Sequence, residues 1–121
     1  MLPLTLEGSA FMTDKSSDVV QGTLDMLILK TLALEPMHGW GVAVRIEQIS
    51  SGVFRVNAGS LFVAFQRMQR AGLITSLWKA TENNRRAKYY TLTEQGRKQL
   101  NSETREWERQ VAAIARILEA S

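Results

Sequence analysis

The sequence contains no cysteine, only one histidine (His38) and only two prolines among its 121 residues. Without cysteine there can be no disulfide and no thiol catalysis, which fits a reducing compartment. A metal site needs several convergent ligands, and they cannot be assembled here from one histidine and no thiolate. Glycine-rich phosphate loops and serine nucleophile motifs are also missing. We therefore expect neither an enzyme nor a cofactor.

Long apolar runs are missing as well, since none approaches the roughly 20 residues needed to span a membrane. Residues 1–11 lack the basic start of a secretory signal, and Glu7 and Gly8 interrupt their apolar character. Hydrophobic residues make up 45% of the chain and charged residues 22%. These proportions and the chain length fit one globular domain with a single core. We expect a cytoplasmic protein.

Positive charge is concentrated in the middle of the chain, although the net charge is only +3. Residues 1–44 carry two basic and five acidic side chains, and residues 91–121 carry five of each. Residues 45–90 carry eight basic side chains and only two acidic ones. Such asymmetry is typical of a surface that meets phosphates. A solvated basic face without a partner is the alternative.

The N-terminal part predicts a flexible arm followed by a strongly apolar helix. Residues 1–18 mix proline, glycine, serine and scattered charges without a period, and Met12 is a second candidate for the natural start. A helix is predicted from Thr23, as its cap, to Leu34, before Glu35-Pro36. Its apolar residues are Leu24, Met26, Leu27, Ile28, Leu29, Leu32 and Leu34. A helix that is apolar on nearly every side must be packed against other elements on more than one side, which suggests a second subunit.

Two further helices are predicted between residues 39 and 71. The first spans Gly39–Ser50, with Val42, Ile46 and Ile49 as its inward residues. The second begins after an Asn57 cap, ends near Ala71 and is terminated by Gly72. Its inward stripe is Leu61, Phe65 and Met68.

A hairpin and a last helix complete the predicted order of elements. Residues 73–80 and 87–93 are rich in β-branched and aromatic side chains, and Asn83 and Asn84 suit the turn between them. Thr93 caps the last helix. Three helices, a hairpin and a further helix predict a winged helix-turn-helix: mainly α with a small β-hairpin. We assign residues 19–93 to a DNA-binding domain and 94–121 to a C-terminal dimerisation helix.

Three segments resemble the PadR family of bacterial transcriptional regulators: QGTLDMLILKTLALEPMHGWGVAVRIEQIS, AGSLFVAFQRMQRAGLI and ENNRRAKYYTLTEQG. The likeness extends from about Val20 to Leu118. It implies a cytoplasmic winged-helix regulator, usually a repressor, that dimerises through its C-terminal helix, here as in the shorter branch of the family. Trp40 and Phe62 stand where the family often has tyrosine, and Val63 where it often has proline. A phenylalanine cannot hydrogen-bond a phosphate as tyrosine can.

The third helix and the hairpin supply the candidate DNA contacts. With the stripe turned inward, the candidates for groove contact are Ser60, Phe62, Gln66, Arg67 and Arg70, since an α-helix fits the major groove. Ser60 lies near the helix N-terminus, where free N–H groups favour a phosphate. Arg85, Arg86 and Lys88 form a basic cluster at the wing. The alternative is ordinary surface polarity, and the corresponding function is a winged-helix protein-interaction module that does not bind DNA.

The last helix carries an apolar seam that predicts a homodimer. Its apolar residues are Leu100, Trp107, Val111, Ile114 and Leu118. Thr104 occupies the one position of the repeat that is not apolar, so that the spacing alternates between four and three. Packing of this stripe on its own subunit is the alternative. Paired Trp107 indoles at a two-fold axis would also form the wall of an apolar pocket for a planar aromatic effector. Simple packing of Trp107 in the interface is the competing interpretation.

Overall fold

A computed structural model describes residues 23–121 of the chain. The elements follow one another as α1 (residues 23–34), β1 (Met37–His38), α2 (Gly39–Ile49), α3 (Ala58–Arg70), β2 (Ile74–Ala80), β3 (Arg86–Leu92) and α4 (Glu94–Glu119). The predicted order of helices and hairpin is confirmed, with β1 as an addition. The arm predicted for residues 1–18 and the alternative start at Met12 lie outside the described residues.

Helix α1 is the most deeply buried element of the domain. Leu24, Ile28 and Leu29 are fully buried in the core of their own chain. Thr31 is also buried, and its hydroxyl donates a 2.7 Å hydrogen bond to the Leu27 carbonyl, which satisfies the polar group. The helix ends at residue 34, before Glu35-Pro36, as predicted.

Helix α2 is capped by the side chain of His38, which the sequence had not indicated as a cap. Nδ1 of His38 accepts a 3.1 Å hydrogen bond from the Gly41 N–H. Val42 and Ile46 are buried as predicted, but the prediction for Ile49 is wrong, because this residue is 62% exposed. Residues 47–49 are all exposed, so the last turn of α2 extends past the core and helical periodicity no longer determines burial there.

Helix α3 begins and ends on local signals. The Asn57 side chain accepts a 2.7 Å hydrogen bond from the Ser60 N–H at its start. At its end Gly72 adopts a φ of +79°, and the Leu73 N–H donates to the Met68 carbonyl at 2.9 Å. This closure satisfies carbonyls that would otherwise lack partners, and glycine is the residue that accepts the left-handed conformation without strain. The inward stripe of Leu61, Phe65 and Met68 is buried as predicted.

The sheet has three antiparallel strands in the order β1-β3-β2. In the hairpin, Ile74 pairs with Leu92 and Ala80 with Arg86, and Asn84 takes a φ of +61° in the turn. Strand β1 pairs with the other side of β3 and enlarges the predicted hairpin. Two residues are too few to show an alternating pattern, so β1 could not be recognised from the sequence.

Helix α4 is anchored to the described part of the domain at its N-terminal end. The Thr93 side chain caps it by accepting a 3.0 Å hydrogen bond from the Gly96 N–H. Gly96 and Leu100 are its buried residues, whereas almost all of residues 105–119 are exposed. Together, α1 to β3 form a winged helix-turn-helix in which the β2–β3 hairpin is the wing. The long helix α4 follows and extends beyond the core.

Candidate nucleic-acid interface

Helix α3 presents a mixed polar and apolar face to solvent. At about 100° per residue, Val63, Gln66 and Arg70 form its crest, opposite the buried stripe. All three are exposed, and so is Phe62, with 57% of its surface accessible. The predicted outward orientation of these side chains is therefore found. Such a crest combines a cation and an amide with apolar groups, the types that contact guanine, adenine and thymine methyl groups.

Ser60 occupies a less open position than the other α3 candidates. Its side chain is half-buried, and its backbone N–H is already used by the Asn57 cap. The free N–H group that would favour a phosphate at Ser60 is thus engaged within the chain. Only its hydroxyl remains as a group that could contact DNA.

Arg67 differs from the other α3 candidates because its guanidinium has a partner on α1. Nη1 and Nη2 donate hydrogen bonds of 2.5 and 2.9 Å to the two carboxylate oxygens of Asp25. The hydrogen bonds to Asp25 raise the pKa of Arg67, and the charge of Glu103 contributes in the same direction. Arg67 is therefore held on the flank of α3 that faces α1, and two of the five N–H donors of its guanidinium are used by Asp25.

The wing places its basic side chains by strand alternation. Ile74 and Leu92, which pair at the base of the hairpin, are both buried and so define the inner face of the sheet. The Trp78–Lys88 and Ala80–Arg86 pairs share this face by parity, but lie beyond the core. Arg85 is exposed in the turn at the tip. Arg86 and Lys88 thus belong to the side of the wing that faces α3.

Trp78 is a residue of this surface that the sequence analysis did not select. Its ring is 54% exposed, and the Arg86 guanidinium carbon lies 5.8 Å from the ring centroid. This contact is a cation–π pair, and it restricts the positions that the Arg86 side chain takes. An aromatic residue opposite a basic strand was the available signal, but only the tertiary structure shows that the ring meets Arg86 and not Lys88, its partner in the register.

A groove connects α3 to the wing. It has a volume of about 490 Å³ and is lined mainly by apolar side chains, with Trp40 and Phe62 exposed at its edges and Lys88 as its cation. Phe65 and Tyr90 form part of the lining and stack with their ring centroids 4.2 Å apart, and burial raises the pKa of the Tyr90 phenol. The groove brings Phe62 and Lys88, candidates from two separate elements, onto one surface.

Not every basic residue of the central segment lies on this surface. Lys79 pairs with Ala87 on the outer face of the sheet, and its ammonium lies 4.6 Å from the centroid of the Tyr89 ring. Arg55 lies 3.9 Å from the Glu47 carboxylate. The tertiary structure thus divides the basic segment into residues that share a face with α3 and residues that do not.

The exposed part of α4 carries most of the predicted dimer seam. Trp107, Val111, Ile114 and Leu118 are 44%, 41%, 54% and 79% exposed in the single chain. Leu100 differs, because it is buried at 9% exposure within the core of its own chain. Beside Trp107, a groove of about 190 Å³ runs between α4 and α1, with Asp25, Glu103 and Glu106 among its lining residues.

The described part of the chain holds neither a membrane span nor a metal cluster. Between residues 23 and 121, no helix is both long and apolar enough to cross a membrane. In the same range, no three acidic or histidine side chains are grouped so that they could hold a metal ion.

A winged helix-turn-helix with an exposed basic wing is an architecture typical of transcriptional regulators. Comparison with known proteins gives the family. Residues 28–102 match the model of the transcriptional regulator PadR-like family. The chain therefore belongs to the PadR-like family of transcriptional regulators, and the resemblance inferred from the sequence is confirmed.

The chain is also similar to solved structures of transcriptional regulators and to one curated protein. The chain is similar to a transcriptional regulator from Clostridium thermocellum, with 27% identity, a TM-score of 0.78, and coverage of 85% of this chain and 100% of the other. A PadR-like transcriptional regulator from Bacillus cereus has 25% identity, a TM-score of 0.75, and coverage of 87% and 100%. An uncharacterized protein of Lysinibacillus sphaericus is 25% identical over 91 residues, which are 75% of this chain and 84% of that protein.

Proposed function

We propose that this PadR-family regulator is a cytoplasmic repressor that binds a pseudo-palindromic DNA operator as a homodimer. The observation that carries the proposal is the groove between α3 and the wing, which brings Phe62 and Lys88 onto one surface beside the exposed crest of α3. Gln66 and Arg70 would enter the major groove, while Arg85, Arg86 and Lys88 would contact phosphates or the minor groove. We infer repression and not activation because members of the family are usually repressors.

The homodimer is supported by the exposed seam of α4. Trp107, Val111, Ile114 and Leu118 follow one another at spacings of four, three and four, and each is at least 41% exposed in the isolated chain. A helix that leaves its core with an apolar stripe is stabilised by a second helix, and a two-fold pair is the commonest arrangement. Half-buried Met26 on α1 lines the groove beside Trp107 and would extend the interface.

Two measurements test the dimer. Light scattering after size exclusion is expected to give twice the chain mass at micromolar concentration. Val111→Glu, which places a charge in the seam, is expected to give the monomer mass, whereas the off-seam control Arg105→Glu stays dimeric. A wild-type monomer at micromolar concentration would contradict the dimer.

The paired Trp107 side chains are proposed as the wall of an effector pocket for a planar aromatic molecule. The support is the exposed indole beside the groove between α1 and α4. Titration of aromatic compounds against tryptophan fluorescence tests this, with Trp107→Phe as the variant that loses the response. A response retained in that variant would come from Trp40 or Trp78 and would contradict the assignment.

DNA binding is tested by selecting duplexes from fragmented source DNA and from a random library. We expect recovery of a two-fold symmetric site whose affinity falls steeply with salt, because phosphate contacts release counterions. A chain that binds no duplex even at low salt would instead be a winged-helix protein-interaction module, the competing function. In either case we expect no enzymatic activity.

A further inference from the structure

Arg67 lies on the flank of α3, between the packed side of the helix and its exposed crest, and has an ion-pair partner on α1. It follows the fully buried Ala64 by three residues, so the two side chains lie only about 60° apart around α3. The crest formed by Val63, Gln66 and Arg70 is centred about 65° from Arg67 on the opposite side, so Arg67 lies about midway between Ala64 and the crest. Arg67 thus emerges at the edge of the packed side of the helix, next to α1.

The contact made there is specific in geometry but weak in energy. Both terminal nitrogens of the guanidinium meet both carboxylate oxygens of Asp25, at 2.5 and 2.9 Å. This two-pronged arrangement fixes the relative orientation of the two groups, because the guanidinium is a rigid planar fork. The side chains are 48% and 26% exposed, and ion pairs at such exposure add little to folding stability. Orientation is therefore its main consequence.

We infer that Arg67 is a positioning residue that sets the rotation of α3 through Asp25, and does not itself contact DNA. This inference rests on the proposed DNA binding. A rotation of α3 by about 20° would move side-chain tips roughly 6 Å from its axis by about 2 Å. A base-edge hydrogen bond tolerates only a few tenths of an ångström, so the ion pair determines whether the crest residues reach their bases.

The pair also connects α3 to the dimer side of the molecule. Asp25 lines the groove between α1 and α4 that contains Trp107. Through this ion pair, the orientation of α3 depends on the part of the chain that the proposed dimer buries. Two recognition helices in a dimer must keep a fixed separation to meet both half-sites.

The test uses four variants of the full chain: Asp25→Ala, Arg67→Met, the double variant, and the charge-reversed Asp25→Arg/Arg67→Asp. Affinity for a duplex selected by the wild-type protein is measured by fluorescence anisotropy over a range of salt. We expect each single variant to lose about threefold to fivefold in affinity, the largest effect that an ion pair of this exposure supports. The double variant should lose no more than either single one, and charge reversal should restore at least half of the loss on a logarithmic scale.

The opposite charge changes of the two single variants provide an internal control. Asp25→Ala makes the protein more positive and Arg67→Met less positive, so a shared loss of affinity cannot come from net charge. Arg70→Met on the same helix is the matched control, since Arg70 has no ion-pair partner among residues 23–121. Its effect should add to that of Asp25→Ala, and only Arg70→Met should reduce the salt dependence.

Weakened binding in Arg67→Met together with unchanged or tighter binding in Asp25→Ala would overturn the inference, because Arg67 would then contact DNA directly. Amide hydrogen exchange of residues 64–72 without DNA provides a separate measure. The positioning role is supported if amide exchange of these residues is accelerated equally in both single variants and no further in the double variant. Exchange rates that do not change in the variants refute it. Failure of the wild-type protein to select any duplex would refute the proposed function, while the exchange measurement still decides the role of the ion pair.

Discussion

Substitution of Gly96 by alanine is expected to destabilise this domain, although alanine is normally the better helix residue. Gly96 lies in the first turn of α4 against the start of β2. A Cβ at this position would overlap the Leu73 carbonyl oxygen, and would lie 2.6 Å from Leu92 Cδ1 and 3.1 Å from the Leu73 carbonyl carbon. Side chains can rotate away from such contacts, but a backbone carbonyl cannot.

The carbonyl of Leu73 is held in place by the junction itself. It accepts a 3.0 Å hydrogen bond from the Thr93 N–H, and it lies 3.0 Å from the Thr93 hydroxyl, whose single proton it shares with the Gly72 carbonyl at 2.7 Å. Relief of the overlap would therefore move α4 away from the sheet and weaken these bonds. Forced overpacking of this kind costs about 3 kcal/mol. The better helix propensity of alanine offsets about 1 kcal/mol of this cost, so the free energy of unfolding should fall by about 2 kcal/mol.

Urea denaturation followed by circular dichroism at constant protein concentration measures this loss. The matched control is Gly59→Ala in the first turn of α3, where a Cβ would meet only the Asn57 side-chain oxygen at 3.4 Å. This control should be as stable as the wild type or slightly more stable. If Gly96→Ala behaved like Gly59→Ala, the close approach of α4 to β2 would be refuted.

Three further predictions concern the cap of α4, the wing and the core. Thr93→Ala should lower the free energy of unfolding by about 1–2 kcal/mol, because its hydroxyl accepts from the Gly96 N–H at 3.0 Å; Thr93→Ser should retain most of the stability in the same urea titration. The double substitution Arg85→Ala/Arg86→Ala should weaken binding to all duplexes and flatten the salt dependence in a mobility-shift titration, and unchanged affinity would remove the wing from the interface. Burial raises the pKa of Tyr90, so its neutral phenol contributes stability that is complete below about pH 10 and is lost as pH rises further. The urea midpoint should accordingly fall above about pH 10 in the wild type and fall less in Tyr90→Phe, whereas identical profiles would exclude this residue as the cause.

Local signals in the sequence predicted the ends of the elements. Asn57 and Thr93 cap their helices, Gly72 ends α3, and Asn84 adopts the left-handed conformation in the wing turn. Each of these depends on a few consecutive residues, so a window of the sequence contains all the information required. Periodicity likewise identified the stripe of α3, because that helix contacts the core along its whole length.

Prediction failed where an element leaves the core or meets a distant one. Ile49 has the right helical phase for burial, but the last turn of α2 has no core beside it. Strand β1 is defined only by its pairing with β3, about 50 residues further along the chain. Leu100 shares the spacing of the α4 seam and yet packs in its own core, because it precedes the point where α4 leaves the domain.

The sequence by itself determined the winged helix-turn-helix order, the caps, the family and the concentration of positive charge around α3 and the wing. These properties follow from the identity and spacing of neighbouring residues. Only the tertiary structure decided which basic residues share a surface, since strand register assigns Arg86 and Lys88 to the inner face and Lys79 to the outer one. It also decided that Arg67 meets Asp25, 42 residues away, because no local pattern encodes which carboxylate an arginine on the flank of a helix will reach.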